Sequence, residues 1–449
     1  MMLQQTGSVQ LLCLTANSGV PLFTRGACKQ LPFSIIGSLN GVHMFGAGQG
    51  VVLGGCETDR GGRVVWRVFQ DSVMLIAVSA GRHAQQGSGS GDSGEGDFQM
   101  RRLLENVWSC MVLVLGQDEL VSVRNVERLK RDLRSCYRLI DQLLEGVQGQ
   151  QSTMGDLTHC GDCLLPTNPA LLQEALDGFT QAAESEFGCL MVHGRIAAAT
   201  DKWWRLAPQE VVLLSALART LSGSASCDFP VFLPQGSPNV AHRLLRFQLL
   251  LGADVCVLCG PSPTLNRAES ELVGRFWSPV VEALRGTLAV GERCLPGSVT
   301  LRPDVLAVLL INRESRRSVS CVKTVSAHPS PHPCSPPLPS KTRCWELLRL
   351  FFTFSATRYF PLEETPPTLA LTPGQNGHGE DTESLQEDFV LGFFHQPLQC
   401  YLVTDECKCY GLQTGQHQLY LLTPLSVPTF ALRSVATETL SALTAAKGF

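Results

Sequence analysis

Two cysteine pairs are the residues of this 449-residue chain whose spacing most resembles a metal site. Cys160 and Cys163 form a Cys-x-x-Cys pair beside His159, and Cys256 and Cys259 form a second pair. Two such pairs could complete a tetrahedral zinc site, but they lie much farther apart along the chain than in a zinc ribbon. Cys256 also falls in an apolar stretch, where a buried thiol behaves as a small hydrophobe. We therefore expect inert core thiols, and no metal or other cofactor.

The remaining catalytic motifs are incomplete. Gly46, Gly48 and Gly50 follow a predicted helix, whereas the glycines of a dinucleotide-binding loop follow a strand and precede a helix. The sequence contains neither a Gly-Lys-Ser/Thr phosphate loop nor a Gly-x-Ser-x-Gly nucleophile motif. The chain is therefore predicted to have no catalytic residues and not to be an enzyme.

A cluster of basic residues lies in a predicted amphipathic helix of the first third of the chain. It comprises Arg124, Arg128, Lys130, Arg131 and Arg134, with Glu127 and Asp132 interspersed. Such a cluster is typical of a solvated helix face. The alternative is a contact with an acidic partner or with acidic lipid headgroups, to which each Lys or Arg contributes roughly 1 kcal/mol.

Composition indicates a globular chain of about three domains, at roughly 150 residues per domain. Hydrophobic residues make up 44% and charged residues 17%, which is sufficient apolar surface for packed cores. The formal net charge of −4 argues against nucleic acid as a main partner. No Lys or Arg precedes Arg25, so the apolar run Val9 to Ala16 does not resemble a signal peptide, and we expect a cytosolic protein with reduced thiols.

The pattern of apolar residues predicts that one order of elements recurs. In the first module, two strands joined at Asn17-Ser18-Gly19 precede a helix within Ser34 to Phe45, three strands and two helices. The three strands are predicted at Val51 to Leu53, Arg63 to Phe69 and Val73 to Ser79. Similar orders follow twice, which predicts modules at residues 1–147, 155–298 and 301–449. The fold class is therefore α/β of the α+β type, with antiparallel sheets flanked by helices.

Low-complexity segments interrupt these modules. The Gly- and Ser-rich stretch Gln85 to Asp97 is predicted to be a flexible loop, and inserts of the third module at 326–342 and 361–390 are predicted to be disordered. Trp203 and Trp204 are adjacent and cannot both face one side of a strand, so we expect one ring to be exposed as an interface anchor.

Several long segments together resemble the Fuzzy family of planar cell polarity effectors. They are VQLLCLTANSGVPLF, LPFSIIGSLNGVHMF, NVERLKRDLRSCYRLIDQLL, WWRLAP, FLPQGSPNVAHRLL and VCVLCGPSP, in this order along the chain. The resemblance covers residues 8 to 325 closely and the remainder more loosely. It implies three longin domains, each with a five-stranded sheet, which agrees with the predicted element order.

The resemblance also implies partners and a role. Fuzzy-like chains pair with Inturned in a heterodimer of six longin domains that acts as a nucleotide exchange factor for Rab GTPases. Wdpcp and a Rab-like small GTPase join this complex, which implies a place in the cytoplasm and cytoskeleton at the ciliary basal body. Cilium assembly, intraflagellar transport and Hedgehog signalling follow from the same analogy. The alternative is a trafficking adaptor or scaffold at the ciliary base without exchange activity.

Longin sheets leave an edge strand and a neighbouring helix free for pairing. The expected partner interface comprises Ile35, Ile36, Leu39 and His43 of the first helix with Val51 and Leu53 of the next strand. The alternative is that these residues pack only against their own sheet.

Overall fold

The structure of the chain is a computed structural model that describes residues 8–26, 31–58, 61–80, 93–149, 151–221, 223–323, 338–360 and 397–445. The fold class agrees with the prediction, because each domain has a five-stranded antiparallel sheet flanked by helices. The boundaries 1–147, 155–298 and 301–449 stay a prediction, and the insert 361–390 lies outside the described residues.

The first domain has one antiparallel sheet in the order β2-β1-β5-β4-β3. Its strands are β1 (Val9–Thr15), β2 (Pro21–Gly26), β3 (Gly55–Glu57), β4 (Arg63–Phe69) and β5 (Val73–Ser79). Gly19 adopts φ +64° in the turn between β1 and β2, a conformation that glycine adopts without strain. One sheet face is covered by helix α1 (Phe33–Gly48).

The other face of this sheet packs against helices that follow the strands. These are α2 (Ser93–Leu115), α3 (Gln117–Val121), α4 (Val126–Asp132), a 3-10 turn (Leu133–Cys136) and α5 (Tyr137–Val147). Apolar side chains of α2 and α5 pack in one cluster with Leu11, Val65 and Leu75 of the strands. The predicted amphipathic helix that contains the basic residues is therefore interrupted, because the 3-10 turn separates α4 from α5.

Two predictions for this domain are wrong. Val51 to Leu53 is not a strand: β3 forms at Gly55–Glu57, where pairing with β4 matches Gly55 to Val65. Because its sequence Gly-Cys-Glu has little β propensity, the strand depends on this pairing. Residues 93–97 of the predicted flexible loop begin α2, and residues 85–92 lie outside the described residues.

The second domain repeats the sheet order as β8-β7-β11-β10-β9. Its strands are β7 (Phe187–Val192), β8 (Arg195–Ala199), β9 (Ser226–Leu233), β10 (Ser237–Leu250) and β11 (Ala253–Cys259). Helices α8 (Asp201–Trp204) and α9 (Pro208–Thr220) lie between β8 and β9. The pair Trp203 and Trp204 is therefore helical, with Trp203 buried and Trp204 half-buried.

Helices cover the opposite face of this second sheet. They are α7 (Pro169–Ala182) and a segmented run after β11: α10 (Leu265–Arg267), a π-helical turn (Ala268–Val273), α11 (Gly274–Trp277), a 3-10 turn (Ser278–Val280) and α12 (Val281–Leu288). Phe179 of α7 contacts Phe247 of the sheet and Trp277 of the segmented run edge-on. These contacts pack α7 and the run together against the sheet.

The third domain has the same order again, β13-β12-β16-β15-β14. Its elements are β12 (Ala307–Asn312), β13 (Arg317–Val322), α13 (Lys341–Arg358), β14 (Gln399–Val403), β15 (Lys408–Thr414), β16 (His417–Thr423) and α14 (Leu432–Thr444). Residues 341 and 342, predicted to be disordered, instead begin α13, whose N-cap Ser340 accepts a hydrogen bond from the Arg343 amide. Residues 326–337 lie outside the described residues.

A three-residue strand joins the second and third domains into one eleven-stranded sheet. Strand β6 (Gly161–Cys163) runs parallel to β13 on one side and to β8 on the other. It follows the short helix α6 (Gly155–Thr158), which connects the first domain to the second. Because β6 is so short, its sequence has no periodicity that could have predicted it.

Helix α2 of the first domain lies against the other two domains. Ser109 donates a hydrogen bond to Gln209 of α9 at 3.0 Å, and Gln99 donates one to Thr353 of α13 at 3.0 Å. Asn106 accepts from Gln209 at 2.9 Å and donates to the Asp156 carbonyl of α6 at 2.9 Å. These buried bonds join α2 to α6, α9 and α13.

A buried ion pair completes this junction. The Arg349 guanidinium of α13 binds both carboxylate oxygens of Asp156 and also donates to the Thr153 carbonyl at 2.7 Å. The two side chains are only 4% and 10% exposed. The bidentate geometry satisfies two charges that would otherwise be strongly destabilising at this depth.

Replacing Arg349 by Met should lower the free energy of unfolding by about 3–5 kcal/mol, because Asp156 would remain buried without its counterion. Urea unfolding of the full chain measures this change. Arg302→Met is a matched control, since Arg302 pairs with Asp304 and Glu438 at the surface and its loss should leave stability close to wild type. Equal destabilisation by both variants would contradict the assignment of the buried pair.

A half-buried histidine at the junction predicts a pH dependence. Burial lowers the pKa of the His159 imidazole to about 3, with Arg102 and Arg316 acting in the same direction. The unfolded chain takes up this proton below its ordinary pKa of about 6.5, whereas the folded chain does not. The contribution of His159 to the free energy of unfolding is therefore complete above pH 6.5 and is lost as the pH falls toward 3.

Between pH 7 and pH 5, wild type should lose about 2 kcal/mol more unfolding free energy than His159→Gln. Urea unfolding of both chains at the two pH values measures this difference, in which the contributions of all other titrating groups cancel. The same pH dependence in both chains would show that His159 is not kept neutral by burial.

Candidate partner interface

Helix α1 is an apolar helix that the chain itself leaves largely uncovered. Its sequence contains no Asp, Glu, Lys or Arg, although only Ile36 of its 16 residues is buried. Seven of the seventeen exposed large apolar side chains among the described residues lie in or just after it: Phe33, Ile35, Val42, Met44, Phe45, Val51 and Val52. We call these seven residues the α1 face. A concentration of exposed apolar side chains of this kind is typical of a protein interface.

The other two domains show what normally covers this helix. By element order, α9 and α13 occupy in the second and third domains the place of α1 in the first. Ten of the thirteen residues of α9 and twelve of the eighteen residues of α13 are buried. Both pack against α2 of the first domain. Helix α1 is the one member of this set that no described segment covers.

The predicted interface residues divide into two groups. Ile36 is buried against the first sheet, and Leu39 and Leu53 pack against the same core. For these three, the alternative of packing on their own sheet holds in the isolated chain. Ile35 and Val51 are exposed at 42% and 58%.

The His43 side chain of α1 belongs to neither the buried nor the exposed group. Its side chain is half-buried, and its Nδ1 atom has no hydrogen-bond partner among the described residues. A buried polar atom without a partner is destabilising unless a further group reaches it.

The expected interface did not include the most exposed residues of the α1 face. Phe33, Phe45 and Val52 are 76%, 72% and 91% exposed, and Val42 and Met44 are exposed beside them. A signal for them was present, because a helix that is apolar all round is typical of burial on two sides. One side packs on the first sheet, and the other is exposed in the chain alone.

A free sheet edge lies next to this face. Among the described residues, strand β3 is the last strand of its sheet and pairs with β4 alone, and all three of its residues are exposed. Exposed edge strands offer unpaired backbone groups to a partner. Only two residues separate Val52 of the α1 face from β3 along the chain, so we treat the α1 face and the β3 edge together as the candidate interface.

Two members of the basic cluster form ion pairs with neighbouring acidic residues. Arg128 pairs with Asp132 at 3.4 Å, and Lys130 pairs with Glu127 at 2.8 Å. Arg124, Arg131 and Arg134 are exposed. Arg124 precedes α4, and the other residues lie on α4 and the 3-10 turn after it.

The two cysteine pairs are too far apart to share a metal ion. Cys163 lies on β6 and Cys256 on β11, with β8 and β7 between them, which places the pairs about 14 Å apart at the usual strand spacing. Burial raises the pKa of the Cys160 and Cys163 thiols to about 12, so these thiols are unreactive. Within the described ranges, no group of three or more His, Cys, Asp or Glu residues could hold a metal ion.

Sequence comparisons match all three domains to one family. Models described as the first, second and third longin domains of FUZ, MON1 and HPS1 match residues 9–143, 183–278 and 304–447. The chain belongs to the Fuzzy family of three-longin proteins. Its element order β-β-α-β-β-β-α therefore represents three successive longin domains, as predicted.

Relatives in this family are similar over nearly their whole length. The protein fuzzy homolog of Xenopus tropicalis is 47% identical over 443 residues, which cover 98% of this chain and 99% of the relative. The human protein fuzzy homolog is 43% identical over 450 residues, and that of Rattus norvegicus is 42% identical over 446 residues. These matches cover 98% of both chains and 97% of both chains, respectively.

Family membership agrees with the absence of a catalytic motif, because longin-domain Fuzzy homologs are not known as catalytic enzymes. In the part of the chain that the structure describes, no helix is long and apolar enough to cross a bilayer. For this Fuzzy-family chain, the surfaces that remain to be explained are therefore the α1 face and the exposed basic residues.

If the basic cluster contacts lipid, changing Arg124, Arg131 and Arg134 together to Gln should weaken binding to phosphatidylserine vesicles by about 3 kcal/mol. Sedimentation with vesicles of increasing phosphatidylserine content measures the affinity. The control changes three exposed arginines elsewhere, Arg205, Arg275 and Arg285. Equal affinities of the two triple variants would favour the solvated helix face.

Proposed function

We propose that this chain is a non-catalytic longin subunit that pairs with Inturned and forms a platform for a Rab-type GTPase. The observation that carries the proposal is the bare α1 helix, whose equivalents α9 and α13 are covered within the chain. A longin domain of a second protein, docked on the α1 face and the β3 edge, would supply the missing cover. Planar cell polarity is the process that the family assignment supports directly.

The proposed complex needs no acid, base or metal from this chain. An exchange factor accelerates nucleotide release by displacing the groups of the GTPase that hold the nucleotide and its Mg²⁺, so binding energy is sufficient. In this role the α1 face organises the heterodimer, and the joined longin domains contact the GTPase. Wdpcp and a Rab-like GTPase are further partners in the proposal, with the ciliary basal body as its location.

Val42→Asp tests this interface most selectively. Val42 is 53% exposed, so a carboxylate there should change the stability of the chain by no more than about 0.5 kcal/mol. In the complex the charge would be buried, and the affinity for Inturned should fall at least tenfold, or about 1.4 kcal/mol. Co-purification followed by light scattering on a size-exclusion column measures complex formation.

A matched control is available on a different surface. Val240 of β10 is 63% exposed, and Val240→Asp should leave the complex intact. If Val42→Asp assembles with Inturned as well as Val240→Asp does, the α1 face is not the interface.

Nucleotide release separates the proposal from a scaffold without exchange activity. The purified heterodimer should accelerate the release of a fluorescent GDP analogue from its Rab-type client, and the heterodimer with Val42→Asp should not. Binding of the GTPase without faster nucleotide release would favour the alternative, an adaptor or scaffold without exchange activity.

A further inference from the structure

A cleft of about 550 Å³ runs along the edge of β8, where the second and third domains meet. Trp204 and Arg317 line one side, and Gln173 and Asp177 of α7 line the other. Its floor consists of the small residues Ala197–Ala199 of β8. The cleft is separate from the α1 face, since its lining comes from the second and third domains.

The floor of this cleft is an open sheet edge. Strand β6 pairs with β8 through Cys163 and Ile196 alone. The chain then leaves the sheet, as the Leu164 amide donates to the Ile196 carbonyl and the Leu165 amide donates to the Cys294 carbonyl. Ala198 and Ala199 pair with β7, Ala197 lies at an irregularity of that ladder, and none of the three has a ladder partner on the side of β6 among the described residues. The joined sheet therefore has a gap beside β8.

An arginine without a counterion faces this gap. The guanidinium carbon of Arg317 lies 4.3 Å from the centre of the Trp204 ring. Its Nε atom is buried without a hydrogen-bond partner, and Arg317 forms no ion pair within the described ranges. Stacking on an aromatic ring holds a guanidinium in place and leaves its edge available for a carboxylate.

Carboxylates complete the lining. Asp201 begins α8 and is exposed, with no ion pair to any described residue. Asp177 accepts a hydrogen bond from Gln173 at 2.9 Å and has no cationic partner among these residues. The cleft thus presents both charge signs, each uncompensated, on the two sides of an open β edge.

We propose that this cleft binds a short extended peptide of a partner protein, which adds a strand to the open edge of β8. The peptide backbone pairs with Ala197–Ala199, an acidic side chain binds Arg317, and a basic side chain reaches Asp177 or Asp201. Neighbouring side chains of a strand point to opposite faces, so one short peptide can address both sides of the cleft. A purely anionic ligand such as phosphate fits less well, because the two aspartates would repel it.

Selection from a displayed library of random eight-residue peptides, with the full-length chain as the target, tests this assignment. Fluorescein-labelled copies of the selected peptides are then measured by fluorescence anisotropy. Binding peptides should combine one acidic with one basic residue in a β-favouring context. Arg317→Gln should weaken their binding at least tenfold, and replacing the acidic residue of the peptide should do the same.

The matched control is Arg275→Gln. Arg275 also stacks on an aromatic ring, that of Phe276, at 5.1 Å, but it does not line the cleft. Arg317→Gln could also disturb the contact between the two domains. Hydrogen exchange of the wild-type chain therefore provides a second readout, in which bound peptide should slow the exchange of residues 197–199.

Weakening by Arg317→Gln but not by Arg275→Gln, together with slowed exchange at β8, would establish the site. The assignment would be overturned if no peptide is selected, if both variants bind equally well, or if β8 exchanges at the same rate with peptide bound. None of these outcomes depends on Inturned, because neither the cleft nor its test involves the α1 face.

Discussion

The burial of helix α2 on two sides is the constraint on which the rest of this architecture depends. Met100, Leu104 and Met111 are fully buried, and the polar Asn106 is only 2% exposed. A helix with buried polar groups must find a partner for each of them, because an unpaired buried group costs about 1–3 kcal/mol. Gln209, Thr353 and the Asp156 carbonyl supply these partners from the rest of the chain. The Asp156–Arg349 pair then joins the third domain to the same junction.

In this arrangement α9 and α13 pack against α2, whereas α1, the equivalent helix of the first domain, remains exposed. Three domains with one element order could each have presented the same helix to solvent. Instead, α9 and α13 lie against α2, and β6 joins the two sheets whose edges would otherwise be free. The chain therefore covers α9 and α13 and leaves the exposed side of α1 bare. Exposure of a single apolar helix favours binding of one specific partner over nonspecific association.

The local elements could be predicted from the sequence because their periodicity is strong. The fully buried strand β1, the turn at Gly19 and the repeated element order follow from apolar pattern and turn chemistry. The sequence could not indicate which side of α1 meets its own sheet, since apolar residues surround the helix. Leu39 and Phe45 are equally apolar, yet one packs on the sheet and the other is 72% exposed. Strand β6 and the gap beside it depend on pairing between distant segments, which local pattern does not encode.

Hydrogen exchange of α1 in the complex with Inturned is the most direct test of the central claim that its exposed face is the partner interface. Residues 33–48 should exchange markedly more slowly in the complex than in the chain alone. Helices α9 and α13, already covered within the chain, should change little and provide internal references. A stable complex in which residues 33–48 exchange at the rate of the free chain would contradict the account and place the interface elsewhere.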